Sequence, residues 1–214
     1  MENKKHDYEF YAQIAVIVVL LVMIAYVLKP TGQSSGQTGL AAVSASGIIP
    51  TGIPAVYGEE LGIQYDFVSV SNPQLANQAI SFLGNFDRTL NLEGADLERY
   101  IYILYKMENG ISCEYCCGAR AIIFENGEMA CGCAHSYAMR GLTKYLILNH
   151  PEMSDEQILT EVGKWKVLFF PGIMEGKAQV MKSKGLSTDY TSLATNQYRG
   201  IEQGQTSGGM IGSC

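Results

Sequence analysis

The pattern of apolar and polar positions divides the chain into an apolar N-terminal run, a polar uncharged stretch, a region of helical periodicity and a polar tail. Residues 10–28 are almost wholly apolar and, at 1.5 Å per residue, just long enough to cross a hydrocarbon core of about 30 Å. Residues 29–56 carry no charge after Lys29 and are rich in small and polar residues, which is typical of a flexible linker. The pattern therefore predicts an N-terminal transmembrane helix followed by a tethered domain.

Basic residues predict the orientation of this helix. Lys4 and Lys5 precede the span and Lys29 follows it, and no other Lys or Arg occurs before Arg88. This distribution places residues 1–9 in the cytoplasm and the long C-terminal part outside. A cleavable signal peptide fits less well, because the small residues at 43–45 lie far beyond the apolar run. We expect a single-pass protein of the cell membrane, with the lipid bilayer as its partner.

Between residues 57 and 186, apolar residues recur at helical spacing in four segments. The first begins at Asn72-Pro73, a capping residue followed by a favourable first helical residue. The fourth begins at Ser154, which has Gln157 three residues later and so forms a capping box. The second segment is expected to end near Asn109-Gly110, and the third is expected to cover 136–149. A short helix is expected around 177–184. Residues 187–214 have little apolar content and are predicted to be disordered.

A β-hairpin is predicted between the second and third helices. An apolar run from Ala121 leads to Asn126-Gly127, the preferred pair for a two-residue turn. With these two residues as the loop, Phe124 faces Met129 and Ile122 faces Cys131. The fold class is therefore mainly α: an N-terminal transmembrane helix plus a small helical domain, residues 57–186, with an inserted Cys-rich β-hairpin.

Five of the six cysteines lie beside this hairpin, in the segments 113–117 and 131–133, and an imidazole follows two residues later. Two short turns bearing thiols are the usual source of ligands for a tetrahedral metal site, and soft thiolates suit copper(I) as well as zinc. The sequence predicts an extracytoplasmic domain that binds zinc or copper(I). The candidate ligands, with Cys117 as the expected spare, are Cys113, Cys116, Cys117, Cys131, Cys133 and His135.

Two other functions remain open for the same cysteines. Thiols outside the cytoplasm tend to be oxidised, so bridges between the two segments would make a disulfide-stapled interaction module. Cys113 and Cys116 also form a C-x-x-C pair, which would suit a membrane-tethered thiol–disulfide oxidoreductase. The βαβ pattern that usually surrounds such a redox pair is missing from the sequence.

Charge and composition exclude other classes. The formal net charge is −6 and there is no basic stripe, which argues against nucleic-acid binding. No Ser, His and Asp grouping has the spacing of a hydrolase, so a role without catalysis is favoured, and the sequence names no protein partner.

The cysteine segments resemble two groups of proteins. Cys131-Gly132-Cys133 with the following His is similar to part of the motif of exported, membrane-tethered PCYCGC proteins, although the leading Pro-Cys-Tyr is missing here. The segments CEYCCG, CGCAHS and KWKVLFFPG resemble uncharacterised archaeal membrane-anchored proteins, over residues 53–178. This resemblance implies a membrane location and a tethered Cys-rich domain, and it implies no activity.

Overall fold

A computed structural model describes residues 47–116, 118–204 and 209–212. The described chain is mainly helical, as the apolar spacing predicts, and its helices are numbered here in chain order. They are α1 (Gly58–Leu61), α2 (Pro73–Thr89), α3 (Gly94–Ile101), α4 (Ala134–Asn149), α5 (Asp155–Phe169), α6 (Pro171–Ser183) and α7 (Tyr190–Ala194). A π-helical turn, Tyr102–Lys106, continues α3, and short 3₁₀ turns cover Tyr65–Phe67, Met107–Asn109 and Asn196–Tyr198.

The predicted helix starts are confirmed where local capping sets them. The Asn72 side chain accepts a hydrogen bond from the Leu75 backbone N–H at 3.1 Å, and α2 follows at once. Ser154 and Gln157 form the expected reciprocal capping box at the start of α5. Proline at the first position starts α6 directly after α5, so the predicted short helix is longer than expected.

Helices α2 and α4 pack closely because glycines let their backbones approach. A Cβ added at Gly141 would lie 2.0 Å from the Leu83 carbonyl oxygen, and one at Gly84 would lie 3.2 Å from Tyr137 Cβ. This crossing fixes α4, whose N-terminus carries the cysteines. Helix α5 runs through the core, and its Trp165 indole N–H donates to the Tyr57 hydroxyl at 2.7 Å.

The predicted hairpin is present only as a turn, and its register differs by one residue. The described residues contain no strand, and Ile123 pairs with Met129 in an isolated antiparallel bridge. The Phe124 N–H donates to the Glu128 carbonyl at 2.8 Å, which leaves a three-residue loop ending at Gly127. Gly127 has φ +86°, so the turn is the type that adds one residue in the left-handed region rather than the predicted two-residue turn.

The predicted boundaries of the domain are too narrow at both ends. Within the predicted linker, 29–56, residue Ile48 is buried and the Gly52 carbonyl accepts from the Tyr65 N–H at 2.9 Å. Within the predicted disordered tail, 187–214, Asp189 caps α7, and Leu193 is fully buried. The tail is ordered there because α7 packs on Gly163 of α5, where a Cβ would meet the Tyr190 carbonyl at 2.6 Å.

The predicted membrane localisation is corrected by the structure. No helix among the described residues combines the length and the apolar character that a membrane span requires. The longest, α2, has 17 residues and mixes polar with apolar side chains, whereas a span needs about 20 mostly apolar ones. The predicted cytoplasmic tail, 1–9, and transmembrane helix, 10–28, lie outside the described residues.

Candidate metal centre

The first cysteine segment is a loop that contains a strained turn. The Tyr115 N–H donates to the Cys113 carbonyl at 2.5 Å, which closes a three-residue γ-turn around Glu114. Glu114 has φ +53°, a conformation that is unfavourable for a residue with a side chain. The turn reverses the chain between Cys113 and Cys116, so that both sulfurs point to the same place.

Residues of the supposed tail hold this loop in position. The Asn196 N–H donates to the Gly110 carbonyl at 2.8 Å, and the Asn196 side-chain amide donates to the Arg120 carbonyl at 2.7 Å. The Arg199 guanidinium donates to the Gly118 carbonyl at 2.9 Å. Because these contacts satisfy backbone carbonyls that the loop itself cannot pair, they explain why the loop and residues 190–204 are ordered together.

The second cysteine segment ends at the N-terminus of α4. Cys133 is the N-cap residue, and its sulfur accepts a hydrogen bond from the Ser136 backbone N–H at 3.4 Å. The Ser136 hydroxyl lies 3.2 Å from the same sulfur. Arg140 links the segment to α2, because its Nη1 donates to the Cys131 carbonyl at 2.7 Å while its Nε donates to Asp87.

The two segments bring four sulfurs together, and these four residues (Cys113, Cys116, Cys131, Cys133) are called the cysteine cluster below. The Sγ atom of Cys133 lies 3.4 Å from that of Cys113 and 3.6 Å from that of Cys131. The Sγ atoms of Cys113, Cys116 and Cys133 all lie within 4.8 Å of one another. With zinc–sulfur bonds of about 2.3 Å, the sulfurs of a tetrahedral site are about 3.8 Å apart. The spacing of the cluster is therefore close to that of a metal–thiolate site.

The cysteines of the cluster differ in oxidation state. Cys113 and Cys133 are free thiols, so no disulfide joins the two segments through this pair, as a staple would require. Cys116 is disulfide-bonded. Cys113 is fully buried, Cys133 is 8% exposed, and Cys116 is half-buried, so Cys116 is the member of this trio nearest to solvent.

The hydrogen bond between Cys113 and Cys133 shifts the pKa values of these two thiols in opposite directions. The hydrogen bond with Cys113 lowers the pKa of Cys133, and His135 and Ser136 act in the same direction against the effect of burial. The same hydrogen bond, followed by burial, raises the pKa of Cys113. Cys133 is therefore the better thiolate of the pair, and the Cys113 sulfur lies in hydrogen-bond contact with it at 3.4 Å.

His135 does not contribute a ligand nitrogen at Nε2. This nitrogen lies 2.6 Å from the Ile211 carbonyl oxygen, which can only accept, so Nε2 carries the proton. The ring is buried between Phe169 and Phe170, with centroids 4.8 and 5.1 Å away. His135 belongs to the surroundings of the cluster, where it supports Cys133, rather than to the group of three sulfurs.

A buried group of charges lies behind the loop, and its members (Glu114, Lys166, Lys177, Glu202) are called the charge group below. Glu114 Oε2 is 3.5 Å from Lys166 Nζ and 3.9 Å from Lys177 Nζ, and both lysine side chains are fully buried. Burial lowers the pKa of Lys166 to about 8, against the opposing effects of Glu114 and Cys113. The lysines thus place positive charge beside the thiols and hold Glu114 in its strained turn.

Of the six site residues predicted from the sequence, the structure describes five. Cys113, Cys116 and Cys133 form the group of three, Cys131 lies beside Cys133, and His135 lies behind it. Cys117 lies outside the described residues. Sequence reasoning missed the charge group, although Lys166 follows Leu159 by seven residues and Val162 by four, which places it on the apolar face of α5.

Comparison with protein-family models, with curated proteins and with solved structures finds no match to this chain. The chemistry of the site is therefore the basis for assigning a function.

Proposed function

We propose that this protein binds a soft metal ion through the cysteine cluster. The observation that carries the proposal is the convergence of the Cys113, Cys116 and Cys133 sulfurs within 4.8 Å in a largely buried place. Packing alone rarely requires so many thiols at one point, whereas thiolate ligands must converge in this way. The lowered pKa of Cys133 favours the deprotonated form that binds metal.

The ligand set favours copper(I). Three thiolates without an imidazole nitrogen suit this soft ion, and the Nε2 of His135 already donates to a backbone carbonyl. Zinc requires a fourth ligand, for which Cys131 is the candidate because its sulfur is 3.6 Å from that of Cys133. Two metals are thus distinguished by one residue.

Metal binding depends on the oxidation state of Cys116. A disulfide sulfur is a poor ligand, so the complete set forms only after the bond at Cys116 is reduced. We expect protein treated with a non-thiol reductant to bind one copper(I) per chain with high affinity. The untreated protein should bind it much more weakly, since only two thiols of the trio remain.

The test is a titration of the full-length reduced protein with copper(I) and zinc against a chromophoric chelator, with metal content measured after desalting. Cys133→Ser should abolish tight binding of both ions. Cys131→Ser should leave copper(I) affinity within about threefold and lower zinc affinity by at least about tenfold. Met129→Leu is the control, because Met129 carries a soft sulfur but is 50% exposed. Tight binding that survives Cys133→Ser would refute the proposal.

A further inference from the structure

A cavity of about 300 Å³ lies between helices α2, α3 and α4 and the turn of the hairpin. None of the described cysteines lines it, so it is separate from the proposed metal centre. The rings of Tyr100 and Tyr137 and the side chain of Met129 form apolar parts of its wall. Because an apolar cavity of about 150 Å³ already holds benzene, the size of this one suits a small organic molecule.

Positive charge exceeds negative charge on the wall of this cavity. Its cations are Arg88, Arg140 and Lys144, and its carboxylates are Asp87 and Glu128. Asp87 is shared between two cations, because its oxygens lie 2.7 Å from Arg140 Nη2 and 2.8 Å from Lys144 Nζ. Glu128 is exposed, so solvent screens its charge. The cavity therefore favours an anion over a neutral or cationic ligand.

Arg88 is the first group that a bound anion would meet. It is exposed, its guanidinium lies 4.7 Å from the centre of the Tyr137 ring, and it pairs with no carboxylate among the residues that the structure describes. Arg140 and Lys144, in contrast, hold α4 against α2 through Asp87. A guanidinium binds a carboxylate through two parallel hydrogen bonds, so Arg88 is suited to hold an anionic group at the mouth of the cavity.

The hydroxyl of Tyr100 is the second donor for a ligand. Tyr100 lines the cavity and is 1% exposed, and its hydroxyl makes no hydrogen bond to any residue in the described part of the chain. Burial, followed by the charge of Asp87, raises the pKa of Tyr100, so the hydroxyl keeps its proton at neutral pH. A buried donor left unpaired is costly, and an acceptor on a ligand in the cavity would remove that cost.

We propose that this cavity binds a small organic carboxylate, whose oxygens accept hydrogen bonds from Arg88 and Tyr100 and whose apolar body packs against Tyr137. One negative charge matches the excess positive charge of the wall, whereas the second charge of a phosphate would lie close to Asp87 and Glu128. The proposal does not depend on metal binding, because none of its contacts involves the cysteine cluster.

The test is a titration of the full-length, metal-free protein in a buffer without carboxylate or phosphate, followed through the backbone amide shifts in NMR spectra. Benzoate is the probe, and it is compared with benzamide, which has the same shape without the charge, and with inorganic phosphate. We expect benzoate to shift the amides of Gly127 and Tyr137 to saturation and to bind at least about tenfold more tightly than benzamide or phosphate. No saturable shift with benzoate, equal binding of benzamide, or tighter binding of phosphate would overturn the proposal.

Two variants distinguish a ligand contact from a structural one. Arg88→Gln should weaken benzoate binding by at least about tenfold. Tyr100→Phe should weaken it by about fivefold and yet unfold at the same urea concentration as the wild type, since the hydroxyl pairs with no described residue.

Arg120→Gln is the matched control. The Arg120 guanidinium makes the same kind of contact with a tyrosine ring, 4.5 Å from the centre of Tyr105, but it does not line the cavity. This variant should keep the wild-type affinity for benzoate. An equal loss of affinity in Arg120→Gln, or wild-type affinity in both Arg88→Gln and Tyr100→Phe, would show that the cavity is not the binding site.

Discussion

Replacing Glu114 by glutamine should destabilise the protein by about 3 kcal/mol at pH 7. Glu114 is 5% exposed and faces Lys166 and Lys177, whose side chains are fully buried. Removing one member of a buried ion pair typically costs about 3–5 kcal/mol, because the other charge stays buried without compensation. Glutamine keeps the size of the side chain and can still accept from the Gly200 N–H, which now lies 2.9 Å from Glu114 Oε1.

The lower end of that range applies here because Lys166 can lose its proton. Its pKa is about 8 with Glu114 present, and Glu114 raises it. In the variant the pKa falls further toward the pH of the measurement, where removing the proton costs little, at about 1.4 kcal/mol per pKa unit. The remaining loss comes from Lys177, whose amino group has no hydrogen-bond partner among the residues that the structure describes.

The assay is urea denaturation of the reduced, metal-free protein. Glu128→Gln is the control, since Glu128 is exposed on the turn of the hairpin and its loss should change the free energy of unfolding by less than about 0.5 kcal/mol. The double variant Glu114→Gln, Lys166→Met should lose less than the sum of the two single variants by at least about 1 kcal/mol. A Glu114→Gln protein as stable as the control would refute the role given to the charge group.

Three further predictions concern helix packing, the ionisation of Lys166 and a helix cap. Gly141→Ala should destabilise by about 3 kcal/mol in urea denaturation, because its Cβ would lie 2.0 Å from the Leu83 carbonyl, whereas Gly132→Ala, with open space around it, should change stability by less than about 0.5 kcal/mol. Burial lowers the pKa of Lys166 from 10.5 to about 8, so between these pH values the unfolded chain binds more protons than the folded chain. The free energy of unfolding of the wild type, measured relative to that of Lys166→Met, should therefore rise by up to about 3 kcal/mol from pH 8 to pH 10.5. A difference that stays constant over this range would contradict the prediction. Ser154→Ala should lower the free energy of unfolding by about 1 kcal/mol through loss of the capping box, and no change would count against that cap.

The parts of the fold that local signals determine could be predicted from the sequence. Asn72-Pro73 and the capping box at Ser154 specify helix starts through contacts within four residues, and both lie where expected. The convergence of the two cysteine segments also follows from the turn at Gly127, since any short reversal there brings them together. The register was wrong because Gly127 at φ +86° fits two turn types, and the choice between them depends on packing.

The other parts depend on long-range contacts that a single sequence does not display. Charged residues are usually exposed, so the place of Lys166 on the apolar face of α5 does not establish that it is buried until Glu114 is known to face it. The order of residues 190–204 likewise depends on Asn196 and Arg199 pairing with carbonyls of a loop more than seventy residues earlier. The strained turn at Glu114 is held in place by the contacts of Glu114 with the two lysines and by the hydrogen bonds from Asn196 and Arg199 to the loop.

The most direct test of a thiolate metal centre is the X-ray absorption spectrum of the full-length reduced protein loaded with one equivalent of copper(I), and separately with zinc. We expect sulfur-only coordination in both, with three sulfurs around copper(I) and four around zinc at about 2.3 Å. Cys131→Ser should change only the zinc spectrum. A first shell containing imidazole nitrogen, or a metal with mainly oxygen neighbours, would contradict the account.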